Sequence, residues 1–326
     1  MRHLRVQLRS TCWYCLVLAA LMVPVSIQAE TWHVAAGAQN MDKARQVLAF
    51  LPNEIWIHAG DTVNWTVGAD EIHTITFLTV GQVRLPFSVG CPGFSVGAAS
   101  FDGSTCVSTP AMVSGQTFSV MFPTTGNFKL VCLVHPDMTG VVHVLDPSTP
   151  LPHEQSFYDK EAADQAHDLL AELNQGQGHQ HPVSRNAIVV GAGKTLANGG
   201  GHNTISLMRF VQPDLVIQAG ATAEWTNDDP SMPHTITFGT EPVNPVPPSA
   251  NVSLDADGAL HATINSTSDN VHSGFIVSAP QDQTLLPQTP LGFTRFRVTF
   301  ANPGVYPYIC ALHDDLGMKG RIIVLP

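Results

Sequence analysis

The chain of 326 residues contains an internal repeat, and this repeat limits the possible folds more than any other feature. The segment FLPNEIWIHAGDTVNWTVGADEIHTITF at 50–77 matches FVQPDLVIQAGATAEWTNDDPSMPHTITF at 210–238. A second pair follows in the same order, FPTTGNFKLVCLVHPDMTGVVHVL at 122–145 and FANPGVYPYICALHDDLGMKGRIIVL at 300–325. Two matched blocks at a similar offset indicate that one domain has been duplicated.

The residue pattern within each copy favours β-strands. β-Branched and aromatic residues alternate with polar ones, and Gly, Pro and Asn mark turns between the runs. We therefore predict an all-β fold, an antiparallel sandwich in each copy, with domain 1 at 30–146 and domain 2 at 185–326. Between them, the segment 154–174 has no Gly or Pro and places apolar residues at helical spacing, which predicts an amphipathic helix. The linker GQGHQHPVS at 176–184 is expected to be flexible and completes an inter-domain segment at 147–184.

Residues 1–29 have the pattern of a secretory signal peptide. A basic start precedes an apolar stretch at 11–27, and a polar mature start follows at Glu30. An uncleaved membrane anchor is the alternative, but the stretch is short for a span. We expect cleavage and a periplasmic or extracellular protein.

Charge excludes one class of partner. Of the 15 basic residues three lie in the signal segment, which leaves 12 against 26 acidic residues and a net charge of −14. A chain this acidic, with no basic run, lacks the electrostatic surface that nucleic acids require.

Two of the four cysteines outside the signal segment have no counterpart in the second copy. Cys91 and Cys106 bracket the Gly/Ser-rich insertion CPGFSVGAASFDGSTC. Because secreted proteins fold in an oxidising compartment, we predict a disulfide between them rather than two free thiols.

Each copy ends with a cluster of soft metal ligands. The first has the pattern C-x2-H-x2-M and the second C-x2-H-x4-M, each with a histidine far upstream. Two imidazoles and a thiolate with an axial thioether form the ligand set of blue-copper sites, and the methionine favours copper over zinc. The predicted metal ligands are His73, Cys132, His135 and Met138 in domain 1, and His234, Cys310, His313 and Met318 in domain 2.

At these residues the sequence resembles the cupredoxins. The loop CLVHPDM has amicyanin-like spacing, and PGVYPYICALHDDLGM is similar to plastocyanin. The resemblance implies Greek-key β-sandwiches, two type 1 coppers per chain and a role in electron transfer. Many relatives have Asn just after the upstream histidine, where this chain has Thr74 and Thr235. That difference puts the support of the ligand loop in doubt, although a threonine hydroxyl can partly replace the amide.

The resemblance also implies how electrons enter. In this fold the ring edge of the loop histidine usually reaches the surface, so His135 and His313 are expected to be the ports. Asp137, Asp314 and Asp315 lie beside them. Such acidic surroundings favour a redox partner protein with a cationic docking face.

Two other functions remain open. The chain could buffer, deliver or confer resistance to copper, or it could be a two-domain copper oxidoreductase. The enzymes need a further copper, held by H-x-H motifs and by a histidine beside the type 1 cysteine. Here the neighbours of the cysteines are apolar, and the motif at His179 and His181 lies in the linker. We therefore expect an electron carrier with no catalytic residues.

Overall fold

The computed structural model describes residues 28–84, 91, 94–175, 186–278 and 293–326. The predicted signal peptide, apart from its last two residues, and the linker at 176–184 lie outside these ranges. Within them, no helix has the length and apolarity needed to cross a membrane.

The predicted all-β fold is confirmed. The strands of the first half are β1 Thr31–Gln39, β2 Arg45–Leu51, β3 Glu54–His58, β4 Thr62–Val67, β5 Thr76–Phe77, β6 Ala98–Ser100, β7 Val107–Ser108, β8 Thr117–Met121, β9 Gly126–Val131 and β10 Thr139–Leu145. The helix α1 Gln155–Gln175 follows, within one residue of its predicted bounds at each end. The strands of the second half are β11 Ala187–Asn198, β12 Gly201–Val211, β13 Asp214–Gln218, β14 Thr222–Asp228, β15 Thr237–Phe238, β16 Ser253–Leu254, β17 Leu260–Ile264, β18 Val271–His272, β19 Arg295–Phe300, β20 Gly304–Ile309 and β21 Lys319–Leu325.

Each half is a sandwich of two sheets. In the first half the sheet β2-β1-β4-β8-β6 packs on the sheet β3-β10-β9-β5-β7, and the second half repeats this with β12-β11-β14-β19-β17-β16 and β13-β21-β20-β15-β18. Alternate side chains of the facing strands form the core, and Trp65 and Trp225 occupy equivalent, fully buried places. The prediction of purely antiparallel sheets is wrong. The sheets are mixed, because β1 pairs parallel with β4 and β3 pairs parallel with β10.

The two halves share one continuous sheet of 11 strands. Strand β2 pairs antiparallel with β12, so that Leu48 faces Thr204 and Gln46 faces Ser206. Phe50 and Phe210 begin the matched blocks of the repeat, and the same spacing separates Gln46 from Ser206. Gln46 therefore pairs with its own counterpart, and a local two-fold axis passes through this pair, as in a symmetric dimer.

Helix α1 covers the junction of the two halves. Its buried Leu169 packs with Val47 and Ala49 of β2 and with Ile205 of β12. The helix thus buries an apolar face against strands of both copies at once, which stabilises their pairing.

The disulfide between Cys91 and Cys106 is present, as predicted. Both cysteines belong to the first half and are buried.

Candidate metal centres

The structure brings two triads of predicted ligands together, one in each copy. In the first, Nδ1 of His73 lies 3.1 Å from Nδ1 of His135, and Sγ of Cys132 lies 3.6 Å from that same atom of His135. The ligand atoms of the triad all lie within 4.8 Å of one another, and all three residues are buried.

The second triad repeats this geometry. Nδ1 of His234 lies 3.1 Å from Nδ1 of His313, and Sγ of Cys310 lies 3.4 Å from the latter. Met138 and Met318, the predicted axial ligands, are fully buried in the same core clusters as the cysteine of their copy. The ligand role of all eight residues stays a prediction, and the structure brings six of them together in the two triads.

A single loop positions three of the four residues in each copy. In domain 1, Cys132 follows β9 and Met138 precedes β10, and the Cys132 amide donates to the Met138 carbonyl at 3.0 Å. The same bond joins Cys310 to Met318 at 3.1 Å. Since adjacent antiparallel strands anchor both ends of the loop, its side chains stay at one end of the sandwich.

The upstream histidine comes from a neighbouring segment. A pair of backbone hydrogen bonds, 3.1 and 2.8 Å long, holds His73 against Met112, and bonds of 3.0 and 2.8 Å hold His234 against Ile276.

A glycine in a β-bulge makes room for each of these histidines. Gly37 in β1 and Gly191 in β11 have φ of 78° and 71°, and both lie where the strand register shifts. A Cβ atom added to Gly37 would lie 2.4 Å from Nε2 of His73, and one added to Gly191 would lie 2.3 Å from Nε2 of His234. Glycine is required at both positions for its backbone conformation and for its missing side chain.

The threonines that replace the usual asparagine do support the ligand loops. The Thr74 hydroxyl accepts a 2.7 Å hydrogen bond from the Leu133 amide and lies 3.8 Å from Sγ of Cys132. Thr235 makes the same bond with the Ala311 amide, also at 2.7 Å. Each hydroxyl therefore links the histidine segment to the backbone beside the cysteine.

The two loops differ in how they reach the methionine. The longer second loop contains Leu316 and Gly317, and Gly317 has φ of 92°. The Leu316 side chain packs into the core cluster of the first half, and its carbonyl accepts a hydrogen bond from Arg209. Arg209 lies in β12 of the same copy and also donates to the Asp42 carbonyl, so the longer loop is connected to the other copy through this arginine.

The donor chemistry of the triads fits a metal ion. Burial raises the pKa of the Cys132 thiol, but the imidazoles of His135 and His73 outweigh burial and hold that pKa well below its usual value. Burial lowers the pKa of His73 and of His234, which keeps these rings neutral. Burial lowers the pKa of His135, but Cys132 and Glu71 outweigh burial and raise that pKa to about 9. Because thiolate and neutral imidazole are the forms that bind metals, this ring would release a proton on binding one.

The loop histidines are not exposed, so the prediction of surface ports at His135 and His313 is wrong. Their rings are 0% and 2% exposed. The pairing of β2 with β12 turns the two metal-binding ends towards each other, and the carboxylate of Glu71 lies between the rings. Its Oε1 is 3.5 Å from Nε2 of His135, and its Oε2 is 3.5 Å from Nε2 of His313.

Glu71 stays ionised despite its burial. Burial raises the pKa of this carboxyl, but the imidazoles of His135 and His313 outweigh burial and lower the pKa to about 2. A second buried acid, Asp229, lies 3.9 Å from Nε2 of His234, and burial raises its pKa to about 6.

Sequence analysis missed Glu71 and Asp229. A signal was available, since both are acids placed within five residues before an upstream histidine. It missed Gly37 and Gly191 as well, although a Gly-Ala pair recurs at both places in an apolar strand.

The three acids expected beside the ports have different surroundings. Asp137 is half-buried and accepts a 3.1 Å hydrogen bond from the Ser231 hydroxyl of the other copy. Asp314 lies 3.6 Å from Nζ of Lys319, and Asp315 is exposed.

Comparisons with known proteins identify a family. The model of a family described as copper binding proteins of the plastocyanin/azurin type matches residues 36–145 and 194–325. Amicyanin-alpha of Methylorubrum extorquens is 27% identical to the chain over 120 residues, which is 37% of this chain and 67% of that relative.

Solved structures also match. The oxidised plastocyanin of Dryopteris crassirhizoma has 18% identity and a TM-score of 0.23, over 43% of this chain and 99% of that one. The reduced state of an amicyanin mutant has 21% identity and a TM-score of 0.24, over 35% of this chain and 82% of that one.

Proposed function

Because the chain belongs to the plastocyanin/azurin family of copper-binding proteins, we propose that it is a periplasmic or extracellular electron carrier with two type 1 copper sites. Bound copper would supply a one-electron couple between its cupric and cuprous states. The first copper would be held by His73, Cys132, His135 and Met138, and the second by His234, Cys310, His313 and Met318. The disulfide and the signal-like start of the sequence support a location outside the cytoplasm.

The observation that carries this proposal is that both triads are buried and that hydrogen bonds hold their segments together. Backbone hydrogen bonds fix the upstream histidine and close the ligand loop in each copy. The donors are buried in the protein core, which excludes water and limits their motion. A site that changes little between two oxidation states is suited to electron transfer.

The enzyme alternative receives less support. A catalytic copper would need further histidines, but Val131 and Leu133 flank Cys132, and Ile309 and Ala311 flank Cys310. In the ranges that the structure describes, the clusters with metal-ligand geometry are the two triads. We therefore propose that the chain is not an oxidoreductase.

Copper counting and spectroscopy test the main proposal. We expect two coppers per chain, intense thiolate-to-copper absorption, and the loss of half of both on Cys132→Ser or Cys310→Ser. Serine at both Cys91 and Cys106 is the control, because these sulfurs are far in sequence from either ligand loop and form the disulfide. Full absorption in the Cys132→Ser protein would show that domain 1 is a copy without copper.

A chelator series separates an electron carrier from a copper buffer. Buried ligands should retain copper through repeated reduction and oxidation in the presence of a competing chelator. Release on reduction would instead favour buffering or delivery.

We further propose that the redox partner is a protein with a cationic docking face. The net charge of −14 after signal cleavage supports it, because an acidic field accelerates the approach of cations in a salt-dependent way. The buried loop histidines require docking at another part of the surface. Stopped-flow reduction by one cationic and one anionic small protein across a salt series tests this, and equal rates with a flat salt dependence would contradict it. Asp315→Asn should slow the cationic protein if docking is near the second loop.

A further inference from the structure

We propose that Glu71 bridges the two metal centres, so that electrons pass between them inside the molecule through His135, Glu71 and His313. This inference rests on the proposed electron-transfer function and concerns a residue outside both ligand sets. With this bridge the two sites would exchange electrons within one molecule, so the chain would hold two electrons as a unit instead of acting as two independent one-electron carriers.

The first step of the argument is which ring nitrogens face the carboxylate. In both loop histidines Nδ1 faces the sulfur and the partner imidazole, at the distances given above. With Nδ1 bound to copper, the N–H of each ring would be on Nε2, the atom that lies 3.5 Å from a Glu71 oxygen. Each imidazole meets a different oxygen of the same carboxylate, so that one side chain spans the gap between them.

The second step is burial. Glu71 is 7% exposed, and both rings are buried, so bulk water does not screen these contacts. A carboxyl group that contacts two rings in such surroundings acts strongly on both of them and hence on whatever they bind.

The third step is that the backbone of Glu71 is held in place. The Glu71 amide donates a 3.3 Å hydrogen bond to Oε1 of Gln46, the residue on the local two-fold axis. Nε2 of Gln46 in turn donates to Gln39 and to the Lys43 carbonyl, at 2.8 and 3.0 Å. The shared sheet thus positions the bridge.

The fourth step is the asymmetry of the repeat. Glu71 stands two residues before His73, and Met232 stands two residues before His234. Met232 is buried in the core cluster of the first half, so it also lies at the junction. Only one copy supplies the carboxylate, and that carboxylate serves both sites.

The transfer step is balanced within the molecule. One electron leaves the reduced site and arrives at the oxidised site, while the covalent Nε2–H bonds of His135 and His313 stay intact and the Glu71 carboxyl neither gains nor loses a proton. No atom, proton or external reagent takes part.

Reduction potentials test the bridge. Each site is measured alone, in Cys132→Ser or Cys310→Ser protein, with and without Glu71→Gln. A carboxamide is a weaker acceptor than a carboxyl for the Nε2–H groups of both rings, so Glu71→Gln should raise both potentials, including that of the site in domain 2. Asp70→Asn is the matched control: it is the neighbouring acid in the same loop, paired with Lys43 at the edge of the molecule, and it should raise neither. The proposal would be overturned if only the potential of the first site shifted, or if neither potential did.

Internal electron exchange is the second readout. In half-reduced protein the exchange rate should not depend on protein concentration, and Glu71→Met, which copies the other half, should slow it several-fold. An unchanged rate would contradict the proposed path.

A copper-free measurement separates failure of the bridge from failure of the proposed function. Long-range ¹H–¹⁵N NMR of the metal-free protein reports the Nε2 resonances of both rings. Glu71→Gln, or Glu71→Asp should the first variant fold poorly, should move both sets of resonances, and Asp70→Asn neither. If the resonances shift but the protein binds no copper, the proposed electron-carrier function is refuted and the bridge is not. If the resonances do not shift, the bridge is refuted.

Discussion

The two metal-binding ends of this molecule are alike in their ligands and unlike where they meet. Both copies use the same bulge glycine, the same threonine hydroxyl and the same backbone bond across the ligand loop. The differences are Glu71 against Met232, the additional Leu316 of the second loop, and the buried Asp229 beside His234. Duplication has therefore preserved the internal structure of each site and changed the surface by which one site contacts the other.

Substitution of the bulge glycines should have the largest effect, and it tests whether the two copies build their sites in the same way. Gly37→Ala or Gly191→Ala would place a methyl group against the upstream histidine and impose a positive φ on alanine. We expect each variant to lose the copper of its own copy, half of the total, and to leave the other site filled. Copper content and visible absorption measure this.

Gly115→Ala is the matched control for the glycine variants. Gly115 also has a positive φ, of 80°, but an added Cβ would meet nothing within 4 Å. It should cost stability through the backbone alone, about 1 kcal/mol or more, and keep both coppers. Copper loss from Gly115→Ala would show that strain rather than contact with histidine empties the site.

Substitutions in helix α1 test whether the two halves fold independently or as one unit. Leu169→Ala should lower the free energy of unfolding by about 2–5 kcal/mol, because it opens a cavity against strands of both copies. Since β2 and β12 share one sheet, chemical denaturation followed by fluorescence and by circular dichroism should give a single transition. The exposed neighbour Asp168→Ala should change stability by less than about 0.5 kcal/mol. Two separate transitions would mean that the copies fold independently.

The threonines should respond equally in the two copies. Thr74→Val or Thr235→Val leaves a buried amide without its acceptor, at a cost of about 1–3 kcal/mol, and moves the absorption band of that copy alone. Thr66→Val, on an exposed strand position, serves as the control. An effect in one copy only would show that the loops are supported differently.

The smallest expected effect is a difference in potential between the sites. The loops place two and four residues between histidine and methionine, and axial geometry tunes the potential of blue-copper sites. Redox titration of the Cys132→Ser and Cys310→Ser proteins should give two distinct midpoints. Coincident midpoints would mean that loop length leaves the axial contact unchanged.

Sequence reasoning reached the parts of the molecule that depend on local pattern. The repeat, the strands and helix α1 follow from periodicity, and the grouping of Cys132 with His135 follows from ligand spacing along one loop. The convergence of His73 with Cys132 was expected from the repeated ligand set and from the resemblance to the cupredoxins. The disulfide followed from the compartment and from the unmatched positions of Cys91 and Cys106.

What it missed depends on how the copies associate. Exposure of His135 and His313 was inferred for single domains, and pairing of β2 with β12 buries them. A hint was present in RQVLAFL at 45–51, where an uninterrupted apolar run indicates a strand covered on both faces. The partner strand and its register, however, are set by contacts distant in sequence, and no local pattern specifies them.

The pairing of Gln46 with Ser206 has a consequence for how such a molecule could arise. In a dimer of identical chains, every residue near the rotation axis is present twice. Glu71 touches a histidine and that histidine's counterpart, so it lies close to the axis, and an identical second carboxylate would compete for the same buried space and repel it. A single acid at this point is possible only when the two halves can mutate separately. Joining both copies in one polypeptide therefore did more than keep them together, since it allowed the centre of the molecule to become asymmetric.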